Sequence, residues 1–202
     1  MKILGLTGPS GAGKGAVAAI FEKFGIPSID TDAVYHQLLE EGGSIKHELC
    51  AAFGQDILDE NGKIDRKRLG SAVFGKENTP SLLHTLNTIT HKYVMARTRE
   101  MLQALKQSGF IAALIDAPLL FEAGIDKECD AVIGVLAERE TRICRITERD
   151  GISNEAAQMR IDAQKSDDFY RKACQYILEN NNDLFVLEAQ ICRLLKDLKL
   201  EV

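Results

Sequence analysis

Paired cysteines, a membrane-length apolar run and an excess of positive charge are all missing from this chain of 202 residues. Each absence removes a class of protein. The five cysteines (Cys50, Cys129, Cys144, Cys174 and Cys192) are odd in number, scattered, and nowhere in a Cys-x-x-Cys spacing. Such usage implies reduced thiols in a cytoplasmic protein, and argues against a disulfide scaffold or a thiolate metal site. No stretch approaches the roughly 18 consecutive apolar residues of a membrane span. The apolar run after Lys2 is too short for a secretion signal. A cytoplasmic location without a membrane partner is therefore expected. The formal net charge is −5, so the chain as a whole is no polyanion binder, and a nucleic-acid partner is not expected. Repeats, low complexity and disordered linkers are absent as well, and nothing specifies an oligomeric state.

What is present is a chain that is 45% hydrophobic and long enough to bury one substantial core. Short apolar runs recur at Lys2–Thr7, Ile26–Ile29, Phe110–Ile115, Ala131–Ala137 and Gln175–Leu178. Two of them lack the polar alternation of a half-exposed strand, which favours a parallel sheet covered on both faces. Helical patterns lie between them. In Gly15–Phe24, for example, Val17, Ile20, Phe21 and Phe24 form one apolar stripe. Strand–helix–strand alternation of this kind predicts an α/β domain with right-handed crossovers. Two connections exceed what a crossover needs. Residues 31–109 carry periodic helical segments, Val34–Leu39 and Leu82–Leu105, broken by the turn Asp59-Glu60-Asn61-Gly62-Lys63. Residues 138–172 form the second. Insertions of this size usually act as substrate domains or lids. The division expected is a core (1–30, 110–137 and 173–202), a helical substrate-binding insertion (31–109) and a lid (138–172). Phe185–Leu200 reads as an amphipathic helix that packs on the core.

The first motif with chemical content is Gly8-Pro9-Ser10-Gly11-Ala12-Gly13-Lys14-Gly15-Ala16, between the first strand and its helix. Glycines there let backbone N–H groups curl round a phosphate, the helix N-terminus adds positive potential, and Lys14 reaches the terminal phosphates of a nucleotide. A Ser or Thr normally follows the lysine and ligates Mg²⁺; here the residues are Gly15 and Ala16. Asp30 and Asp32 stand at the end of the second strand, where a carboxylate can accept a proton from an attacking hydroxyl or hold metal-bound water. Equally, Asp32 can cap the helix that begins near Val34. Asp116 ends the third strand and is placed to orient Mg²⁺ or its waters, with capping again the competitor. Six of the chain's eleven arginines fall between Arg139 and Arg171. Arg142, Arg145 and Arg149 share one helix face, and Arg160 and Gln164 repeat the relation on a second helix. Guanidinium groups on a lid suit a transferring phosphoryl group. His36 follows Asp32 by one turn and is placed to touch the same ligand; His91 lies in a helical stretch.

Taken together, these segments resemble dephospho-coenzyme A kinase over nearly the whole chain. The resemblance is carried by GLTGPSGAGKG (Gly5–Gly15), IDTDAVYHQLLEEG (Ile29–Gly42), FGQDILDENGKIDRKRL (Phe53–Leu69), DAPLLFEAGID (Asp116–Asp126), RITERDGIS (Arg145–Ser153), RIDAQ (Arg160–Gln164) and ACQYILENN (Ala173–Asn181). It implies a three-layer P-loop fold around a five-stranded parallel sheet, with a helical substrate-binding insertion and a helical lid. It implies transfer of the γ-phosphoryl of ATP to the ribose 3′-hydroxyl of dephospho-coenzyme A, with Mg²⁺ as cofactor. By position, Asp32 is the catalytic base. Gly8, Gly11, Ala12, Gly13, Lys14, Gly15 and Ala16 hold the ATP phosphates, with Lys14, Arg145 and Arg149 acting on the transferred group. The acceptor site draws on Asp32, His36, His91, Asp116 and Arg160, and Asp32 and Asp116 hold the metal through water. The chain departs from the family at Gly15-Ala16, where Ser-Thr is usual, at Lys92 for a proline, and at Glu179 for an aspartate. Two other readings of the loop stand beside this one: a nucleoside monophosphate kinase, and a catalytically silent nucleotide-binding protein.

Overall fold

The computed structural model of the protein describes residues 1–75 and 80–200. It separates into two compact units, Met1–Ile29 with Ala104–Val202, and Asp30–Gln103.

In the first unit, β1 (Lys2–Thr7), β2 (Ser28–Asp30), β3 (Ala112–Asp116), β4 (Ala131–Leu136) and β5 (Tyr176–Glu179) form one sheet in the order β2-β3-β1-β4-β5. The ladders of β1 with β3, β1 with β4, and β4 with β5 are parallel. Every residue of β4 is buried, which is why its sequence runs apolar without alternation. Helices α1 (Lys14–Lys23) and α9 (Leu184–Asp197) share a core with the sheet. Leu4, Leu6, Phe21, Ile133, Val135 and Ile191 meet there. Three further helices, α6 (Arg139–Asp150), α7 (Asn154–Asp162) and α8 (Asp167–Ala173), carry the arginine-rich segment. Ile146, Ala157 and Ile161 make a small apolar seam between α6 and α7. These helices, read above as a lid, belong to the same unit as the sheet.

Two strands start two residues later than expected, for local reasons, while the other differences in strand ends are of one residue. The expected strand Ile26–Ile29 begins instead at Ser28, because the Ile26 N–H closes the end of α1 on the Phe21 carbonyl (3.0 Å) and Pro27 has no N–H to donate. The expected strand Phe110–Ile115 begins at Ala112 and runs on to Asp116. The N–H of Phe110 caps the preceding helix on Leu105 O (3.2 Å), and Phe110 and Ile111 are exposed.

The second unit is helical: α2 (Thr31–Glu41), α3 (Ser44–Phe53), a 3₁₀ turn (Gln55–Ile57), α4 (Arg66–Phe74) and the greater part of α5 (Pro80–Gln107). Val34, Leu38, Ile45, Leu49, Ile57 and Leu69 are buried. Helix α2 starts earlier than the apolar spacing implies. Its cap is Asp30, whose carboxylate accepts from the N–H groups of Asp32 (2.9 Å) and Ala33 (3.1 Å). The capping role considered for Asp32 thus falls to Asp30.

The cysteines are all free thiols. Burial pushes Cys129 up to about 12, with Asp126, Glu128 and Asp130 adding to it, and pushes Cys174 up to about 11.

Candidate active site at the phosphate loop

The parallel register of β1 and β3 sets Leu6 opposite Asp116. The chain therefore leaves β1 into Gly8 at the same sheet edge where β3 delivers its terminal carboxylate. That edge is the carboxyl end of the strands, where open α/β sheets bind ligands. The loop then turns through two left-handed glycines, Gly11 (φ 78°) and Gly13 (φ 93°). A Cβ on Gly11 would lie 2.7 Å from the Arg142 carbonyl oxygen, so neither the backbone angle nor the space admits a side chain. Lys14 opens α1, and its Nζ lies 3.8 Å from Asp116 Oδ1. The amides of Gly11, Gly13, Lys14 and Gly15 have no backbone acceptor among the described residues. This is the donor set a phosphate requires.

The loop's carbonyls, by contrast, are tied back. Arg142 Nε donates to Ser10 O (3.0 Å). Arg145 Nη1 donates to Gly11 O (3.2 Å) and Ala12 O (3.3 Å), while its Nη2 donates to Asn180 O (3.0 Å). Asn180 Nδ2 donates to Ala12 O (2.8 Å). Gln164 Oε1 accepts from the Ser10 N–H (3.0 Å) and from Arg142 Nη2 (3.2 Å). Arg142 is only 5% exposed and Asn180 equally so. Burial lowers the Arg142 pKa, opposed by Asp167 at 3.4 Å. Drawing the carbonyls outward leaves the amides facing inward, so the loop is held in its binding shape by α6, the α7–α8 turn and the residue after β5.

This placement divides the lid arginines into two kinds. Arg145 acts on the loop backbone. Arg149 and Arg160 both pair with Asp150, Arg149 at 2.7 and 2.9 Å. The Arg149 hydrogen bond, with Arg160 adding to it, holds the Asp150 carboxyl down at about 2. Arg145→Ala should therefore weaken ATP binding by about 10-fold or more, through the loss of charge-assisted hydrogen bonds of ~1.5–3 kcal/mol each. It should also lower Tm. Calorimetric ATP titration beside thermal melts checks this; a pure kcat defect with unchanged ATP affinity would place Arg145 on the transferred group instead.

In the second unit, Asp32 lies in the first turn of α2 and is exposed, and its carboxylate takes no hydrogen bond or ion pair among the described residues. His36 follows one turn later, and His91 is half-buried on α5. Asn180 and Gln164 are the residues whose contact with the loop no local pattern announces. Each stands in a segment quoted above, ILENN and RIDAQ, and reaches the loop from more than 150 residues away.

Mg²⁺ is the metal that the resemblance implies. Among the described residues no three His, Cys, Asp or Glu side chains gather as a ready-made metal cage. Mg²⁺ does not call for one: it is usually held by one or two carboxylates, substrate phosphates and water. Asp116, beside Lys14 at the strand end, supplies such a carboxylate, so the residues fit the ion.

A glycine-rich loop from β1 to α1, a lysine at the helix start and an aspartate ending the neighbouring strand of a five-stranded α/β sheet define a P-loop kinase. The dephospho-CoA kinase family model matches residues 2–185. The dephospho-CoA kinase of Corynebacterium diphtheriae is 35% identical over 93% of this chain and 92% of its own. That of Arabidopsis thaliana is 35% identical over 98% and 84%. The solved structure of dephospho-CoA kinase from Campylobacter jejuni superposes with a TM-score of 0.70 at 28% identity, covering 98% of each chain. The chain belongs to the dephospho-CoA kinase family and is a phosphoryl-transferring enzyme. Among the described residues, no helix is long and apolar enough to cross a membrane.

Proposed function

We propose that the protein transfers the γ-phosphoryl group of ATP to the ribose 3′-hydroxyl of dephospho-CoA, giving CoA and ADP in the cytoplasm. The observation that carries this reading is the preformed phosphate loop, with Lys14 beside Asp116, in a chain matched to that family over nearly its whole length. Lys14 and the loop amides bind the β- and γ-phosphates. Asp32, relieved of capping by Asp30 and free of other partners, receives the hydroxyl proton as the 3′-oxygen attacks. Arg149 and Arg160 hold Asp150 in a solvent-exposed cluster. A phosphate presents the same paired oxygens as the Asp150 carboxylate and can take its place on these guanidinium groups. Asp116 would hold Mg²⁺ through water, and the ion would offset the negative charge that gathers on the phosphates.

One assay tests the reading: ATP consumption with dephospho-CoA, CMP or AMP as acceptor. Turnover with dephospho-CoA and not with the monophosphates is expected. Preference for CMP or AMP would make the protein a nucleoside monophosphate kinase. Tight ATP binding with no acceptor turned over would make it a silent nucleotide binder.

The missing P-loop hydroxyl gives a second measurement. A Cβ on Gly15 would meet nothing within 4 Å, and Gly15 is exposed on α1. Gly15→Ser is therefore tolerated, and gains about 0.5 kcal/mol of helix propensity. Combined with Ala16→Thr, it should lower the Mg²⁺ concentration needed for half-maximal rate. An unchanged Mg²⁺ dependence would mean that the hydroxyl never limited the present enzyme.

A further inference from the structure

A cavity of about 470 Å³ opens within the helical unit, between α2 and the turn that leads into α4. His36 and Glu40 line it from α2; Lys63, Arg66 and Lys67 line it from the other side. The charges around it are unevenly committed. Asp59 Oδ1 accepts from the N–H groups of Asn61 (2.9 Å) and Lys63 (2.8 Å), holding the turn. Asp65 caps α4 by accepting from the N–H groups of Lys67 (2.8 Å) and Arg68 (3.1 Å), and those bonds hold its carboxyl below the usual range. Both acids are thus occupied by backbone, and Asp65 also faces Arg68 at 3.8 Å. Glu40 is the remaining acid on the wall.

The bases are not occupied. Elsewhere in this unit Lys92 pairs with Glu48 at 2.6 Å, and Arg97 with Glu41 at 2.8 Å. Lys63, Arg66 and Lys67 take no ion pair among the described residues. Arg66 makes itself felt only as a positive charge on the Tyr35 hydroxyl of α2. The turn that carries them is preformed. Leu58 and Ile64 form an antiparallel bridge, Asp59 N donates to Lys63 O (2.7 Å), and Asp65 N donates to Ile57 O (2.8 Å). A fixed concavity with three uncommitted cations and a histidine is suited to a polyvalent anion.

His36 gives the cavity its relation to the chemistry. It stands four residues after Asp32 on the same helix, one turn or roughly 6 Å along the same face. In dephospho-CoA the reacting 3′-hydroxyl and the 5′-diphosphate sit on one ribose, a comparable span apart. We propose that this cavity binds the 5′-diphosphate of the acceptor, with Arg66, Lys67 and Lys63 as its anion-binding groups and His36 as a hydrogen-bond donor. The assignment rests on the function proposed above.

The test compares dephospho-CoA with adenosine, which has the 3′-hydroxyl and no diphosphate. Arg66→Gln combined with Lys67→Gln should raise KM for dephospho-CoA at least ~30-fold, with kcat, the KM for ATP and kcat/KM for adenosine within twofold of wild type. Glu40→Gln, which removes the remaining acid, should lower KM for dephospho-CoA two- to fivefold. A folding defect cannot imitate that gain, so this variant decides the matter if the double variant is unstable. Unchanged KM for dephospho-CoA in Glu40→Gln and the double variant, or equal losses with both acceptors, would overturn the assignment while the kinase reading stood. Absence of wild-type turnover with dephospho-CoA would overturn the kinase reading itself.

Discussion

Asp32→Asn is expected to lower turnover of dephospho-CoA by about 10²–10⁴-fold, the usual contribution of a positioned general base. The KM for ATP should change little, since Asp32 belongs to the helical unit and not to the phosphate loop. Stability should be nearly unaffected. Asp30 supplies the cap of α2, so Asn at position 32 forfeits only a favourable carboxylate near a helix N-terminus, worth ~0.3–1 kcal/mol. The matching control is Asp30→Asn. Asparagine caps as well as aspartate, so that variant should keep both its Tm and its rate. Steady-state kinetics with both variants checks the pair. Near-normal turnover in Asp32→Asn would remove Asp32 from the mechanism, and a large loss in Asp30→Asn would move the base to Asp30.

Lys14→Ala should cost about 10²–10³-fold in kcat, the loss typical of deleting one preorganised positive donor at developing charge. It should weaken ATP binding as well, because the same ammonium faces the phosphates in the ground state. Lys14→Arg should recover little. The Nζ stands 3.8 Å from Asp116, and a planar guanidinium is bulkier and differently aimed than a compact ammonium. Rate and calorimetric ATP affinity, measured on the same preparation, check both statements. Full ATP affinity and rate in Lys14→Ala would mean that the loop binds phosphate through its amides alone.

The strands were legible because each is a short apolar run, and the two starts misplaced by two residues trace to Pro27 and to the Phe110 amide that closes α5. Helix α1 and the helical character of residues 31–109 and 138–172 were legible through periodicity and length. The interior of the first insertion was not. Helices α3 and α4 and the Leu58–Ile64 bridge depend on packing among residues whose spacing alone is ambiguous. At the site, the loop and Asp116 could be read from position after a strand. The cap of α2 was sought at Asp32 and lies at Asp30, because the helix begins at Thr31 and not near Val34. Arg142, Arg145, Gln164 and Asn180 illustrate the remaining gap. Periodicity places arginines on one helix face, yet only the tertiary fold shows that Arg145 is directed at carbonyls of the loop.

The buried thiols have a chemical consequence for an enzyme whose substrate and product both end in a free sulfhydryl. An oxidised acceptor is a disulfide, and only a thiolate attacks it. With Cys129 at about 12 and Cys174 at about 11, both stay almost wholly protonated at neutral pH. The exposed Cys144 is also raised, by its hydrogen bond to Glu148. These three sulfurs are thereby kept poor nucleophiles toward the disulfide of an oxidised acceptor.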